Sequence, residues 1–125
     1  MAGIQPENLL VMNALPQIAQ AFLTEWTQTR TQPGINPEAR LQADLLTVEF
    51  HNALTTSEQA LLQTEVGRDA VVRLVGHWID RAYPRLASRI ESLLNCYVTS
   101  TGIDIEPSNG AVRVQIGLRA STVLL

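Results

Sequence analysis

Lysine is absent from the 125 residues, and all nine basic side chains are arginine. That absence removes lysine Schiff-base chemistry and the P-loop lysine together. A single cysteine, Cys96, leaves no internal disulfide to form. With the two histidines, His51 and His77, it makes no recognisable zinc spacing, so neither a metal nor a cofactor is expected. Apolar runs such as Leu9 to Met12 and Ala70 to Val72 fall far short of the ~20 residues that a membrane-spanning helix needs. The N-terminus lacks the charged, apolar, small-residue order of a signal peptide. There is no glycine-rich phosphate loop and no G-x-S-x-G elbow.

The balance of charge excludes more. A net charge of −3 and a pI near 5.3 give no global electrostatic footprint for nucleic acid or an anionic membrane. Together these features predict a cytoplasmic, non-enzymatic protein without direct membrane insertion, peripheral to a membrane only through a partner. The 46% hydrophobic and 17% charged composition is that of a globular chain, and the length fits a single domain over 1–125.

Apolar residues then place the elements. Val11, Leu15, Ile18, Ala19, Phe22 and Trp26 recur at helical spacing and predict a helix from Pro6 to about Arg30, kinked near Asn13 to Leu15 by Pro16. This N-terminal helix and the loop after it occupy 1–33. The stretch Arg30 to Ala39 reads as a loop, followed by a hairpin of Ala39 to Ala43 and Leu45 to Asn52 turning at Asp44. Thr55 and Glu58 form a capping box for a short helix. Gly67 is expected to stop that helix in a left-handed conformation, with a long helix beginning at Arg68 and Asp69.

The long helix presents Val71, Leu74, Val75, Trp78, Ala82, Leu86, Ile90 and Leu93 as one apolar stripe, with Pro84 expected to bend it or loosen one turn. Strands from Cys96 to Ile105 and from Ala111 to Leu118 flank an Asn109–Gly110 turn. Val112, Val114, Ile116 and Leu118 share one face of the last strand, with Arg113 and Gln115 outward. The order helix, hairpin, helix, hairpin predicts an α+β fold: a four-stranded antiparallel sheet with two main helices on one face.

The sharpest local signal is a row at spacing four, Arg73, His77, Arg81, Arg85 and Arg89. Arg73 has Asp69 one turn earlier, whereas Arg81, Arg85 and Arg89 have no acid at three or four residues. One interpretation is a solvated face neutralised by strand carboxylates such as Glu49, Asp104 or Glu106. Another is a docking strip for an acidic partner, a phosphate-bearing ligand or anionic headgroups. For nucleic acid, stacking aromatics are wanting, with Tyr83 the sole candidate. A site assembled from His77 and Cys96 has no positive support, since a cysteine at an apolar helix end is usually an inert buried thiol. The apolar segments "NLLVMNAL" and "STVLL" point to a homo-oligomer, most simply a dimer.

Three short motifs carry a resemblance: Gly34, Asn36 and Pro37 in the loop; Leu54, Thr55 and Glu58 at the capping box; Gly67 and Arg68 at the head of the long helix. With Asp104 in the last hairpin, their order and spacing over about 34–118 resemble the MpsC-like family of small bacterial proteins. The family pattern has a second glycine where Asn36 stands, a proline at Thr56, an acid at Val66 and a Thr–Gly junction at Asn95 and Cys96. The resemblance implies an accessory or regulatory component of a sodium-translocating, membrane-potential-generating system related to inorganic carbon uptake. Its membrane-transport partner would be a different protein, and it implies no catalytic residues. The rival of a different class is a small anion- or nucleotide-binding module using the arginine row.

Overall fold

Two apolar periodicities, one of helices and one of strands, meet in a single core. In a computed structural model of the chain, residues 9–28, 30 and 32–120 are described. Their order is α1 (Leu9–Thr27), β1 (Asn36–Gln42), β2 (Leu45–His51), α2 (Thr56–Leu61), α3 (Glu65–Leu94), β3 (Cys96–Ile105) and β4 (Val112–Ala120). The strands form one antiparallel sheet in the order β1-β2-β4-β3, and α1 and α3 pack together over one face of it. This is the expected α+β architecture.

The register explains which residues face the helices. Leu46 lies opposite Ile116, Val48 opposite Val114, and Phe50 opposite Val112, so the alternate residues of both strands line one buried surface. Phe22 and Trp26 of α1 and Trp78 of α3 close over Phe50. The Trp26 and Trp78 rings meet edge to face at 4.7 Å, and Trp26 stacks on Phe50 at 6.1 Å. Such pairs add to their area burial because ring edges and faces carry opposite partial charge.

Several local expectations are corrected. α1 runs without interruption across Pro16. The carbonyl that Pro16 deprives of its partner is that of Met12, and both residues are exposed, so water can satisfy it. Pro84 sits inside α3, which remains helical on both sides of it as expected, with both Pro84 and Asp80 at the surface. The predicted segment from Pro6 to Asn8 and the terminal "STVLL" lie outside the described residues.

β1 begins three residues earlier than expected, at Asn36, because an edge strand tolerates Pro37. Asn36 is therefore extended. The left-handed residues here are Gly34 (φ 75°) and Asn52 (φ 63°), and Ala43 (φ 55°) makes the tight turn with Asp44. Along α3, Leu74 is 42% exposed rather than buried, while Ile79 and Leu94 face the core.

Gly67 requires the largest correction. It lies within α3, which starts at Glu65 behind an N-cap from Thr64, and it is not left-handed. The Thr64 hydroxyl accepts from the Gly67 N–H at 3.0 Å. Glycine is demanded there by proximity: a Cβ would stand 1.9 Å from the Leu61 carbonyl oxygen.

Candidate functional site

A thirty-residue helix with an apolar stripe on one side necessarily shows the other side to solvent, and α3 puts Arg73, His77, Arg81, Arg85 and Arg89 there. They are not equivalent. Arg85 reaches across to α1, where its Nε and Nη2 donate to the two carboxylate oxygens of Glu25, each at 2.8 Å. Glu25 is 12% exposed, and this forked hydrogen bonding holds its carboxyl below the ordinary range despite the opposing cost of burial. Among the described residues, neither Arg81 nor Arg89 makes an ion pair, nor does Arg73 close on Asp69.

The apparent triad is thus two free guanidinium groups flanking an ion pair. Arg81 and Arg89 are eight residues apart, about 12 Å along the helix axis. Arg89 borders an open groove of ≈ 550 Å³ between α1 and α3, walled by Pro16, Gln20, Thr24 and Leu86. Arg81 borders a smaller one beside Gln28 and Trp78. His77 is exposed one turn before Arg81, and Tyr83 is 38% exposed.

The strand carboxylates do not neutralise this row, because they project from the sheet face opposite the helices. There the order β1-β2-β4-β3 sets Glu38, Glu49, Arg113 and Asp104 side by side. Arg113 donates to Glu49 at 2.8 Å and to Asp104 at 2.5 Å, with Glu106 at 3.8 Å. His51 and Arg40 approach Glu49 at 3.3 and 3.8 Å. Outward alternation of Glu49, Asp104 and Arg113 was visible in the sequence, but only the strand order joins them.

Glu49 is the charged residue the sheet buries, at 9% exposure. Hydrogen bonding from Arg113 lowers its pKa, burial opposes this, and the nearby positive charges of His51, Arg113 and Arg40 add to the lowering. A carboxyl lowered in the folded state contributes stability that is present above its unfolded pKa, about 4.3, and lost as pH falls through the lowered folded value. Glu49→Gln is therefore expected to cost about 1–2 kcal/mol at neutral pH and progressively less in acid. Urea unfolding of both proteins across this range measures it; a gap independent of pH would contradict the assignment.

The residues of the family-like motifs gather at one end of the molecule. Thr55 and Glu58 make the capping box, with the Thr55 hydroxyl accepting from the Glu58 N–H at 3.1 Å and the carboxylate from the Thr55 N–H at 2.8 Å. Glu58 also pairs with Arg30, whose guanidinium lies 4.4 Å over the Trp26 ring. Asn52 donates to the Gly34 carbonyl, Gln32 bridges the carbonyls of Asn52 and Leu54, and Arg68 holds the Leu62 carbonyl. Asn36 and Pro37 open β1 beside them, with Asn36 paired to His51. These contacts splice the loop, α2 and α3, which gives the motifs an architectural reason.

Cys96 is buried, and desolvation together with the nearby Glu91 pushes its thiol up to about 11, far from a reactive thiolate. His51 and His77 lie on opposite sides of the molecule's two layers. Among the described residues, no group of three His, Cys, Asp or Glu is placed to hold a metal, and no helix is long and apolar enough to cross a membrane.

The chain is a two-layer α+β domain with arginines along one helix face, and the sequence comparison gives it a family. The family described as "Na+-translocating membrane potential-generating system (MpsC)" matches residues 29–118, and the chain belongs to it. No curated protein and no solved structure is significantly similar to the chain.

Proposed function

We propose that the chain is a non-enzymatic accessory or regulatory component of a Na+-translocating, membrane-potential-generating system, working at the cytoplasmic side by contact with a membrane-transport partner. The family description supports the setting. The observation that carries the mode of action is the exposed face of α3, where Arg73, Arg81 and Arg89 stand without an ion pair among the described residues. Unpaired arginines on a rigid helix need break no ion pair to dock, and their planar guanidinium groups match carboxylates in a forked geometry.

The spacing favours an extended acidic segment over a small anion. Arg85 is committed to Glu25, whose carboxylate therefore lies between Arg81 and Arg89 and repels a compact anion held by both, while their backbones are ~12 Å apart along the axis. Arg85 serves this reading as a positioning residue that ties α1 to α3.

Co-purification from mildly solubilised native cells tests the proposal, comparing wild type with an Arg73→Gln/Arg81→Gln/Arg89→Gln variant of verified fold. Membrane-transport subunits should accompany wild type, diminish as salt is raised, and be lost with the variant. Equal recovery by both proteins, or recovery by neither, overturns it. Salt-sensitive thermal stabilisation of wild type by inorganic polyphosphate, absent in the variant, with no subunit recovered, would favour the anion-binding module instead.

A further inference from the structure

β1 is an edge strand, and among the described residues its outer side pairs with nothing. The two-residue turn at Ala43 and Asp44 makes Gln42 and Leu45 the hydrogen-bonded pair that closes the hairpin. Alternation then directs the backbone groups of Glu38 and Arg40 toward β2, and those of Ala39 and Leu41, with the Pro37 carbonyl, outward. Seven residues of β1 pair with β2 without a register break. The opposite edge, β3, is interrupted by an irregularity at Val98/Ser100, a feature that blunts strand addition.

Charge decides what the open edge accepts. Glu38 and Arg40 sit two residues apart on the face of the sheet away from the helices, with Ala39 between them on the other face. In an antiparallel pairing of β1 with itself, centred on Ala39, each Glu38 lies opposite an Arg40 of the second copy, twice by symmetry. Centring on Glu38 or on Arg40 instead places like charges together. The Ala39 register also suits the backbone: the two Ala39 residues exchange N–H···O bonds, and each Leu41 N–H meets a Pro37 carbonyl. The N–H that Pro37 lacks costs only the bond to Leu41's carbonyl.

The surroundings fit. Arg40 is 58% exposed and its ion pair with Glu49 is long, at 3.8 Å, so turning toward a second copy costs little. An open groove of ≈ 810 Å³ follows the same edge, walled by Met12, Leu15, Ala39, Leu41 and Leu45, and one of ≈ 310 Å³ adjoins it at Pro16 and Pro37. Met12 is 54% exposed and Leu45 43%. A small residue at the centre of the pairing lets apolar side chains of both copies close over it.

We propose that β1 is a self-association edge: two copies of this chain join antiparallel through β1, centred on Ala39, into one continuous eight-stranded sheet. This goes beyond the accessory-protein reading and stands or falls separately from it, since it uses no residue of α3.

The test is the dimer dissociation constant of the full-length protein, by light scattering and sedimentation, for wild type, Glu38→Arg, Arg40→Glu and the double exchange. Glu38→Arg sets an arginine opposite Glu49 within the monomer, so it should fold, which thermal melting verifies. Each single variant puts two like-charge pairs into the dimer and should weaken it about tenfold or more. The double exchange restores both pairs and should return the constant to within about threefold of wild type. A wild type that stays monomeric, single variants that dimerise like wild type, or a double exchange that does not recover, each overturns the proposal.

Discussion

Gly67→Ala is expected to cost about 3 kcal/mol of stability, although alanine is ordinarily worth about 1 kcal/mol more than glycine inside a helix. The methyl group would stand 1.9 Å from the Leu61 carbonyl oxygen and 2.8 Å from both the Leu61 carbonyl carbon and the Thr64 hydroxyl. None of these is the loose end of a flexible side chain. Leu61 ends α2, and the Thr64 hydroxyl caps α3, so the substitution must part the two helices or break the cap, itself worth about 1 kcal/mol. Gly76, nine residues further along α3, is the internal control. A Cβ there meets only Ile103 Cδ1 at 3.8 Å, an ordinary contact. Gly76→Ala should therefore stabilise by about 0.5–1 kcal/mol. Urea unfolding of both variants should show shifts of opposite sign; a Gly67→Ala protein as stable as wild type would mean that α2 and α3 are not held this closely.

This contrast also shows where the sequence was readable. Both glycines lie within a stretch of helical periodicity, and neither letter reveals whether the reason is a turn, a close approach or nothing at all. Periodicity did place α3, β2 and β4, because burial on one face leaves a pattern at spacing four or two along a continuous segment. Thr55 and Glu58 were legible as a cap for the same reason: the partners are three residues apart. Interactions across the fold leave no such trace. Arg85 has no acid within a turn of itself, yet Glu25, sixty residues earlier, accepts from its Nε and Nη2. Arg113 and Glu49 meet only because β4 inserts between β2 and β3. The arginine row was thus visible as a pattern of residue types, while the pairing of Arg85 with Glu25 was not.

Edge strands fall into the same category. Whether β1 was central or peripheral could not be read from "NPEARLQ", and with it the meaning of Pro37, Glu38 and Arg40 stayed open. Once β1 is an edge, Pro37 becomes admissible and the alternating charges become its visible surface. The hydrogen bonds around Asn52, Gln32 and Arg68 show the complementary case, in which family-like motifs mark a structural splice at the α2 end. The unpaired arginines lie elsewhere, along α3.

Trp26→Ala should lower stability by about 3–5 kcal/mol, a large share of the 5–15 kcal/mol that holds a domain together. Trp26 is 1% exposed and stands between Trp78 and Phe50, so its removal opens a cavity bounded by both layers. The loss extends to the surface, because the Arg30 guanidinium rests on the Trp26 ring while pairing with Glu58 of the capping box. Without the ring, Arg30 loses its cation–π support, about 0.5–2 kcal/mol of the total. Trp26→Phe separates shape from polarity. The Trp26 Nε1–H finds no acceptor among the described residues, so a phenyl ring forfeits no hydrogen bond and should cost about 1–2 kcal/mol. Circular dichroism during urea unfolding measures both without depending on tryptophan emission. A midpoint for Trp26→Ala close to that of Trp26→Phe would show that the aromatic cluster is not the keystone between α1, α3 and the sheet.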